Sequence, residues 1–296
     1  MFLLIWLILV SVGIAENRIV IIKSDNLPEY QAPIKSFVKG IGLSPRIYSI
    51  KGSKRRAIEI AREIQKRPPP LIFALGAKAA WTARTQLPEI PLVYAQVRNP
   101  KRYGISGANV TGVSMDPPLD LVLSQFHLFV PEARKVAFFV SQETPLIESA
   151  ERTMKELGYE PVKITVSNGQ SLRRELSKIQ RKADLIWVLP DPIVLQGSNF
   201  YHLNETAHRA KIPTLSSSYN LTKAGLFLGV SPDYKAIGAH AAKLANKILD
   251  GDNTAYQLEV LPEQIHVTLN RKTQKAIKLE FEEHILDFVN EEISND

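Results

Sequence analysis

Short, wholly apolar runs alternate along this chain with longer stretches whose apolar positions recur every three or four residues. The first kind predicts buried strands and the second amphipathic helices. Residues 18–23 (RIVIIK) and 46–50 are strand-like, and 29–39 between them can carry a helix ending near Gly40 and Gly42. Residues 54–67 place Ala57, Ile60, Ala61 and Ile64 on one helical stripe. Pro68, Pro69 and Pro70 stop that helix, because proline has no N–H to continue the ladder. Residues 71–75 and 91–95 are the next strands, with a helix over 78–85 between them. Strands alternating with helices imply a parallel sheet with right-handed crossovers.

The rhythm resumes further along, with strands expected at 135–140, 161–166, 185–189, 214–216 and 227–230. Helices are expected at 145–157, 171–181 and 200–210, and a long Ala-rich one at 234–249. Both periodicities break between Asn109 and Pro118, where Gly112, Pro117 and Pro118 mark a joint. A second joint at Ser231-Pro232 would return the chain to its first unit. The expected fold class is therefore α/β, with two lobes of similar size, each a parallel sheet flanked by helices. In such sheets ligands sit at the loops outside the strands' C-terminal ends, which directs attention to the stretch from Leu71 to Asp120.

Composition narrows the setting. The chain has 296 residues, 45% of them hydrophobic and 23% charged, which is enough for two globular domains. Residues 1–15 (MFLLIWLILVSVGIA) are apolar, end in small residues and are followed by Glu16 and Arg18, the pattern of a cleaved secretory signal. The run is shorter than the roughly 20 residues that span a bilayer. The chain has no cysteine, so disulfides, thiolate metal sites, a cysteine nucleophile and a lipidated cysteine are all excluded. An exported, unlipidated protein is expected in the periplasm of a Gram-negative cell. The formal net charge is +7, yet residues 280–296 hold seven Asp and Glu and no Lys or Arg. That tail predicts an acidic last helix beside a basic remainder, suited to anionic ligands or a membrane surface. Nucleic acid is not an expected partner, since no basic helix is interleaved with aromatics.

Several chemistries lack their signatures. No G-x-G-x-x-G follows a strand, and neither G-x-x-x-x-G-K-[ST] nor G-x-S-x-G occurs. His202 and His208 are six apart on one predicted helix, on different faces, unlike a zinc-binding pair. No metal or cofactor is expected. Asp191, between Pro190 and Pro192 after the strand LIWVL, would either face the crevice as an amine or hydroxyl partner or cap the segment that begins at Ile193. Ser216, Ser217 and Ser218, then Tyr219 and Asn220, leave the next strand as a hydroxyl-rich ligand loop or a polar turn. Lys78 and Arg98 end two strands of the opening stretch, where they suit a carboxylate or phosphate.

At these residues the chain resembles the exported substrate-binding proteins of ABC transporters, in the type I periplasmic-binding-protein-like family that includes tryptophan and other aromatic amino-acid binders. The matching pieces are ALGAKAA at 74–80, IPLVYAQVRNP at 90–100, GANVTGVS at 107–114, VLPDPIV at 188–194, AKIPTLSSSYNLTKAGLFLGVSPDY at 210–234 and IGAHAAKLANKILDG at 237–251. The resemblance implies two Rossmann-like lobes joined by about three crossing segments, closing on a ligand about a hinge. On that basis residues 16–112 with 231–257 form lobe one, and 113–230 with 258–296 form lobe two. Carried over piece by piece, the cleft is lined by Gly76, Ala77 and Lys78, by Gln96, Arg98 and Asn99, by Ser141, Gln142 and Thr144, and by Asp191, Ser217, Tyr219 and Asn220. Where the family often has Asp-Pro this chain has Asn99-Pro100, and the Ser-Asp of a later loop falls at Ser217-Ser218.

The function implied is capture of a small polar or anionic molecule, an amino acid or related carboxylate, for an inner-membrane permease. The alternative keeps the fold and signals to a receptor or histidine kinase. An exported enzyme would need an acid–base pair, and Asp191 alone does not make one. A monomer is usual for the family.

Overall fold

The computed structural model describes residues 19–252, 260–262 and 264–294; the expected signal segment, Arg18 and the boundary expected between 257 and 258 lie outside them. Two sheets carry the architecture. The first has the order β2-β1-β3-β4-β5, built from β1 (Val20–Lys23), β2 (Arg46–Ser49), β3 (Ile72–Leu75), β4 (Leu92–Ala95) and β5 (Val110–Val113). All of its pairings are parallel. β3, β4 and β5 are buried along their whole length, and β3 and β4 carry the continuous apolar runs of strands covered on both faces.

The helices that cover this sheet form where the periodicity puts them. α1 (Gln31–Ile41) follows a 3-10 turn at Pro28–Tyr30, passes through Gly40 and ends on Gly42 in the left-handed region. α2 (Lys54–Lys66) is capped by Ser53, whose hydroxyl accepts from the Arg56 N–H at 3.3 Å. α3 (Ala77–Gln86) joins α2 on one face, where Ile60 and Ile64 of α2 share a core with Ile72 of β3 and Leu92 of β4. The other face, with Phe73, Val93 and Val113, is covered by α1 and by a helix that comes from more than a hundred residues later.

β5 lies within the stretch expected to be only a joint. Its Gly112 made VTGV look like an interruption, but a side chain there would collide with the Tyr94 ring on neighbouring β4. The glycine admits that ring and the strand continues. α4 (Leu119–Phe129) then begins directly after Pro117 and Pro118, a helix the breaks in pattern concealed. It buries Val122, Leu123, Phe126 and Phe129.

The second sheet has the order β12-β11-β10-β9-β8-β6-β7. Its strands are β6 (Lys135–Val140), β7 (Glu160–Thr165), β8 (Leu185–Val188), β9 (Thr214–Ser216), β10 (Leu228–Pro232), β11 (Ile265–Asn270) and β12 (Glu291–Ile293). One pairing, β10 with β11, is antiparallel, so this sheet is parallel-dominated and not wholly parallel. α5 (Pro145–Glu156), α6 (Gly169–Leu176), α7 (Gly197–Ala210) and α8 (Tyr219–Lys223) fall between its strands. The acidic tail corrects an expectation, since it holds a 3-10 turn (Glu283–Phe288) and edge strand β12, not a last helix. Pairing with β11 in parallel register, Thr268 opposite Glu291, fixes that state.

Three passages connect the sheets. The chain leaves the first after Val113 and returns after Pro232, where Asp233 caps α9 (Tyr234–Leu249) by accepting the Lys235 and Ala236 N–H groups. α9 packs on α1 and covers the first sheet through Ile237, Ala241 and Ala245. Gly40 and Gly238 allow the close approach, because a Cβ on Gly238 would strike the Pro33 backbone. The third passage follows Val260, which bridges Val113 in parallel. Beyond it, α10 (Arg271–Ile277) follows β11.

Candidate functional site

Parallel strands discharge their loops at one edge, so the exits of β1, β3 and β4 share one end of the first lobe, and those of β6, β8 and β9 one end of the second. In the first lobe Ser24, after β1, accepts the Ala79 N–H at 2.9 Å and hydrogen-bonds the Tyr30 hydroxyl. Burial pushes that phenol up from its ordinary value. Gly76 (φ +84°) stands against both groups, and a side chain there would meet the Ser24 hydroxyl at 2.7 Å and the Tyr30 hydroxyl closer still. Glycine is therefore required at this turn for packing as well as for its backbone angle. Ala77 opens α3 half-buried, and exposed Lys78 donates to the Gly52 carbonyl at 3.2 Å.

The β4 exit is held in a costly conformation. Gln96 and Asn99 both have left-handed backbones, φ 56° and 48°. Asn99 uses its side chain to accept the Arg102 N–H at 3.3 Å, a cap for the turn Pro100–Tyr103. Arg98 pairs with Asp116 at 3.2 Å, joining this loop to the first passage. Gln96 is 7% exposed. Its Nε2 donates to the Glu29 carbonyl at 3.2 Å, while its Oε1 is buried with no partner among the described residues.

Across the molecule, Asp191 (5% exposed) accepts four hydrogen bonds from the chain itself. Oδ2 takes the Ser141 N–H and hydroxyl at 2.6 and 2.7 Å, and Oδ1 takes the Ile193 and Val194 N–H groups at 2.9 and 3.1 Å. Of its two readings, geometry favours the cap: the carboxylate clamps the ends of β6 and β8 and fills its acceptor positions doing so. Thr144 caps α5 by accepting the Ile147 N–H at 3.3 Å, and Gln142 beside it is exposed. Ser217 is half-buried where the chain leaves β9.

Tyr219 and Asn220 reach the region between the lobes. They line a cavity of about 510 Å³ together with Glu29, Tyr234, His266 and Glu291, floored by the second passage, Ser231–Asp233. The Tyr219 hydroxyl donates to Glu291 Oε1 at 2.8 Å, and His266 Nε2 lies 3.3 Å from Glu291 Oε2. The hydrogen bond to Glu291 pushes the Tyr219 phenol up from its ordinary value, and burial does the same for Tyr234. Of the expected residues, then, Tyr219 and Asn220 meet at this cavity, Gln96 reaches it through Glu29, and the other ten, from Gly76, Ala77 and Lys78 to Asp191 and Ser217, do not line it. Glu29, His266 and Glu291 were not anticipated. The strand exit before Pro28 offered a signal for Glu29; the other two come from β11 and β12, where local pattern offered none.

A protein-family profile described as "ABC transporter substrate binding protein" matches residues 19–293. The chain belongs to this family. ABC substrate-binding proteins capture small ligands and are not enzymes. One curated relative, the "Tyrosine-binding protein" of Clostridioides difficile (strain R20291), is 22% identical over 231 residues, covering 75% of this chain and 66% of that protein, just under two thirds of its length. Among solved structures, the ligand-free, open form of a substrate-binding protein with adhesive properties from Clostridium difficile superposes with a TM-score of 0.79 at 19% identity, covering 94% of this chain and 99% of that one. An L-Trp complex from Streptococcus pneumonia gives a TM-score of 0.62 at 16% identity, covering 93% of this chain and 100% of that one. At these identities the likeness establishes the two-lobed fold.

Proposed function

We propose that this binding protein is the periplasmic capture component of an ABC uptake transporter, taking a small polar solute of amino-acid or carboxylate type between its lobes. The observation that carries the reading is the cavity of about 510 Å³, bounded by both lobes and by a passage between them. A cavity of that size falls within the range of small-molecule sites, roughly 300–1,000 Å³. The first sheet with its helices, α9 among them, then moves as one body against the second sheet with its own, a pivot one or two residues off the expected boundaries because β5 runs to Val113 and β10 to Pro232, and closure presents a changed surface to the permease. The protein works as a monomer, and no covalent chemistry is needed. The names of its relatives make aromatic amino acids the first solutes to try.

Thermal-shift screening of the full set of amino acids, carboxylates, nucleosides and small phosphates tests this. A ligand at a hundred times its Kd stabilises the native state by about 2.7 kcal/mol. For a protein of this size that raises Tm by roughly 5–11 °C. A panel in which nothing shifts the transition would overturn small-solute capture.

A further inference from the structure

Positive charge is spread unevenly over the fold. Residues 19–113 carry sixteen Lys and Arg against five Asp and Glu, whereas residues 114–232 carry thirteen against twelve. The second lobe also neutralises cations locally: Lys163 lies 3.0 and 2.9 Å from Glu143 and Glu151, and Glu175 takes both Lys178 and Lys182. In the first lobe the excess concentrates in β2 and α2, where residues 46–67 hold eight Lys and Arg and two Glu. Arg55 pairs loosely with Glu59 at 3.6 Å, and Glu63 is taken by the Tyr48 hydroxyl at 2.6 Å. The other seven cations make no ion pair among the described residues.

The fold gathers these charges on one side. β2 is an edge of the first sheet, paired with β1 alone, and α2 runs back along it. Arg46, at the start of β2, donates to the Arg67 carbonyl at the end of α2 (3.3 Å), and Arg56, in the first turn of α2, donates to the Ser49 carbonyl at the end of β2 (2.6 Å). Arg55, Arg62 and Lys66 are exposed and stand seven and four residues apart, on one outward stripe opposite the buried Ala57, Ile60 and Ile64. The same edge exposes two large apolar side chains, Leu43 (46%) in the turn before β2 and Ile47 (49%) on β2 itself. Ile47 points away from the core beneath α2, because its neighbour Tyr48 packs there. Cations beside exposed aliphatic groups are the composition of a surface that meets lipid headgroups and the acyl boundary together.

We propose that this side of the first lobe, the β2 edge with the outward stripe of α2, docks on anionic phospholipid membranes, with Leu43 and Ile47 entering the headgroup boundary. Each cation held near such a surface contributes on the order of fivefold in affinity. The two apolar side chains select a bilayer over an acidic protein face. The first and third passages meet the first sheet at its opposite edge, where β5 bridges Val260, so a docked first lobe leaves the second free to close. Docking of this kind is independent of the solute that the cleft takes.

The test is co-sedimentation of residues 16–296, which contain the whole described fold, with vesicles of phosphatidylcholine alone and of equal parts phosphatidylcholine and phosphatidylglycerol. The anionic vesicles should bind at least about tenfold more tightly, and the advantage should shrink as ionic strength rises toward the physiological value. A triple variant, Arg55→Gln with Arg62→Gln and Lys66→Gln, should lose at least about tenfold of that binding. A control, Lys155→Gln with Arg173→Gln and Arg181→Gln, removes as much charge from exposed positions of the second lobe and should bind like the parent. Leu43→Ser with Ile47→Thr should weaken vesicle binding severalfold, with far-UV circular dichroism unchanged in every variant. Equal binding to the two kinds of vesicle would overturn the proposal, and equal losses in the two triple variants would assign the attraction to net charge instead of this face. Vesicle binding that soluble polyglutamate abolishes and that Leu43→Ser with Ile47→Thr leaves intact would assign the face to an acidic polypeptide and also overturn it.

Discussion

Replacing Asp191 by alanine should unfold the second lobe more easily while leaving any ligand's affinity nearly unchanged. The magnitude follows from what the carboxylate satisfies. The Val194 N–H is the most buried of its donors, in a residue 1% exposed. Left without an acceptor it costs about 1–3 kcal/mol. Ser141 and Ile193 are half-buried, so water can replace part of what they lose, at about 0.5–1 kcal/mol each. The expected destabilisation is about 3 kcal/mol, or a fall in Tm of roughly 6–12 °C. Urea unfolding followed by fluorescence reads it directly, because Trp187 is fully buried on β8, four residues before Asp191. A Trp81→Phe background removes the first lobe's signal. Asp191→Asn should be no gentler, since its amide N–H groups would face the donors that the carboxylate accepts. An Asp191→Ala protein that unfolds at the parental urea midpoint but loses its ligand would refute the clamp reading and return Asp191 to the crevice.

Two further outcomes follow from the packing and the charges. Gly238→Ala should destabilise the first lobe by about 1–3 kcal/mol, because overpacking against the immovable Pro33 backbone outweighs the roughly 1 kcal/mol that alanine gains in helix propensity; an unchanged or raised Tm would show that α1 and α9 can separate freely. Glu175 accepts from Lys182 at 2.7 Å, with Lys178 nearby, which lowers its carboxyl below the ordinary 4.5. A lowered folded value adds stability above the ordinary one and loses it as pH falls through the folded one. The parent's advantage over Lys182→Met should therefore shrink as pH drops below 4.5, and a difference that stays constant from neutral pH to about pH 3 would count against the pairing.

Alternation and periodicity were enough to locate most strands and helices, because each is decided within a window of ten residues or so. The misses have identifiable causes. β5 was concealed by Gly112, whose purpose is to admit the Tyr94 ring from a strand nearly twenty residues away. α4 was concealed by Pro117 and Pro118, which stop the preceding pattern and immediately precede the helix, though Val122, Leu123, Phe126 and Phe129 carry a readable stripe. β12 is three residues, two of them glutamates, and is a strand because β11 pairs with it. The same limit governs the site. Strand-end loops could be listed from local pattern, but Ser141 meets Asp191 across fifty residues and Tyr219 meets Glu291 across seventy-two. No periodicity encodes such meetings.

The long detour of α9 sets a condition on how the molecule comes into being. The first sheet is complete at Val113, yet the face bearing Phe73 and Val93 waits for a helix that starts at Tyr234. The second sheet likewise lacks β11 and β12 until residue 293. At synthesis rates of about 5–20 residues per second, the first lobe's apolar face stays bare for on the order of 6–24 s while the intervening roughly 120 residues emerge. Neither lobe can finish alone: the face under α2 and α3 is made wholly of residues 20–110, whereas the face bearing Phe73 and Val93 closes only when α9 arrives. A polypeptide wired this way hides half of its first lobe early and the other half late.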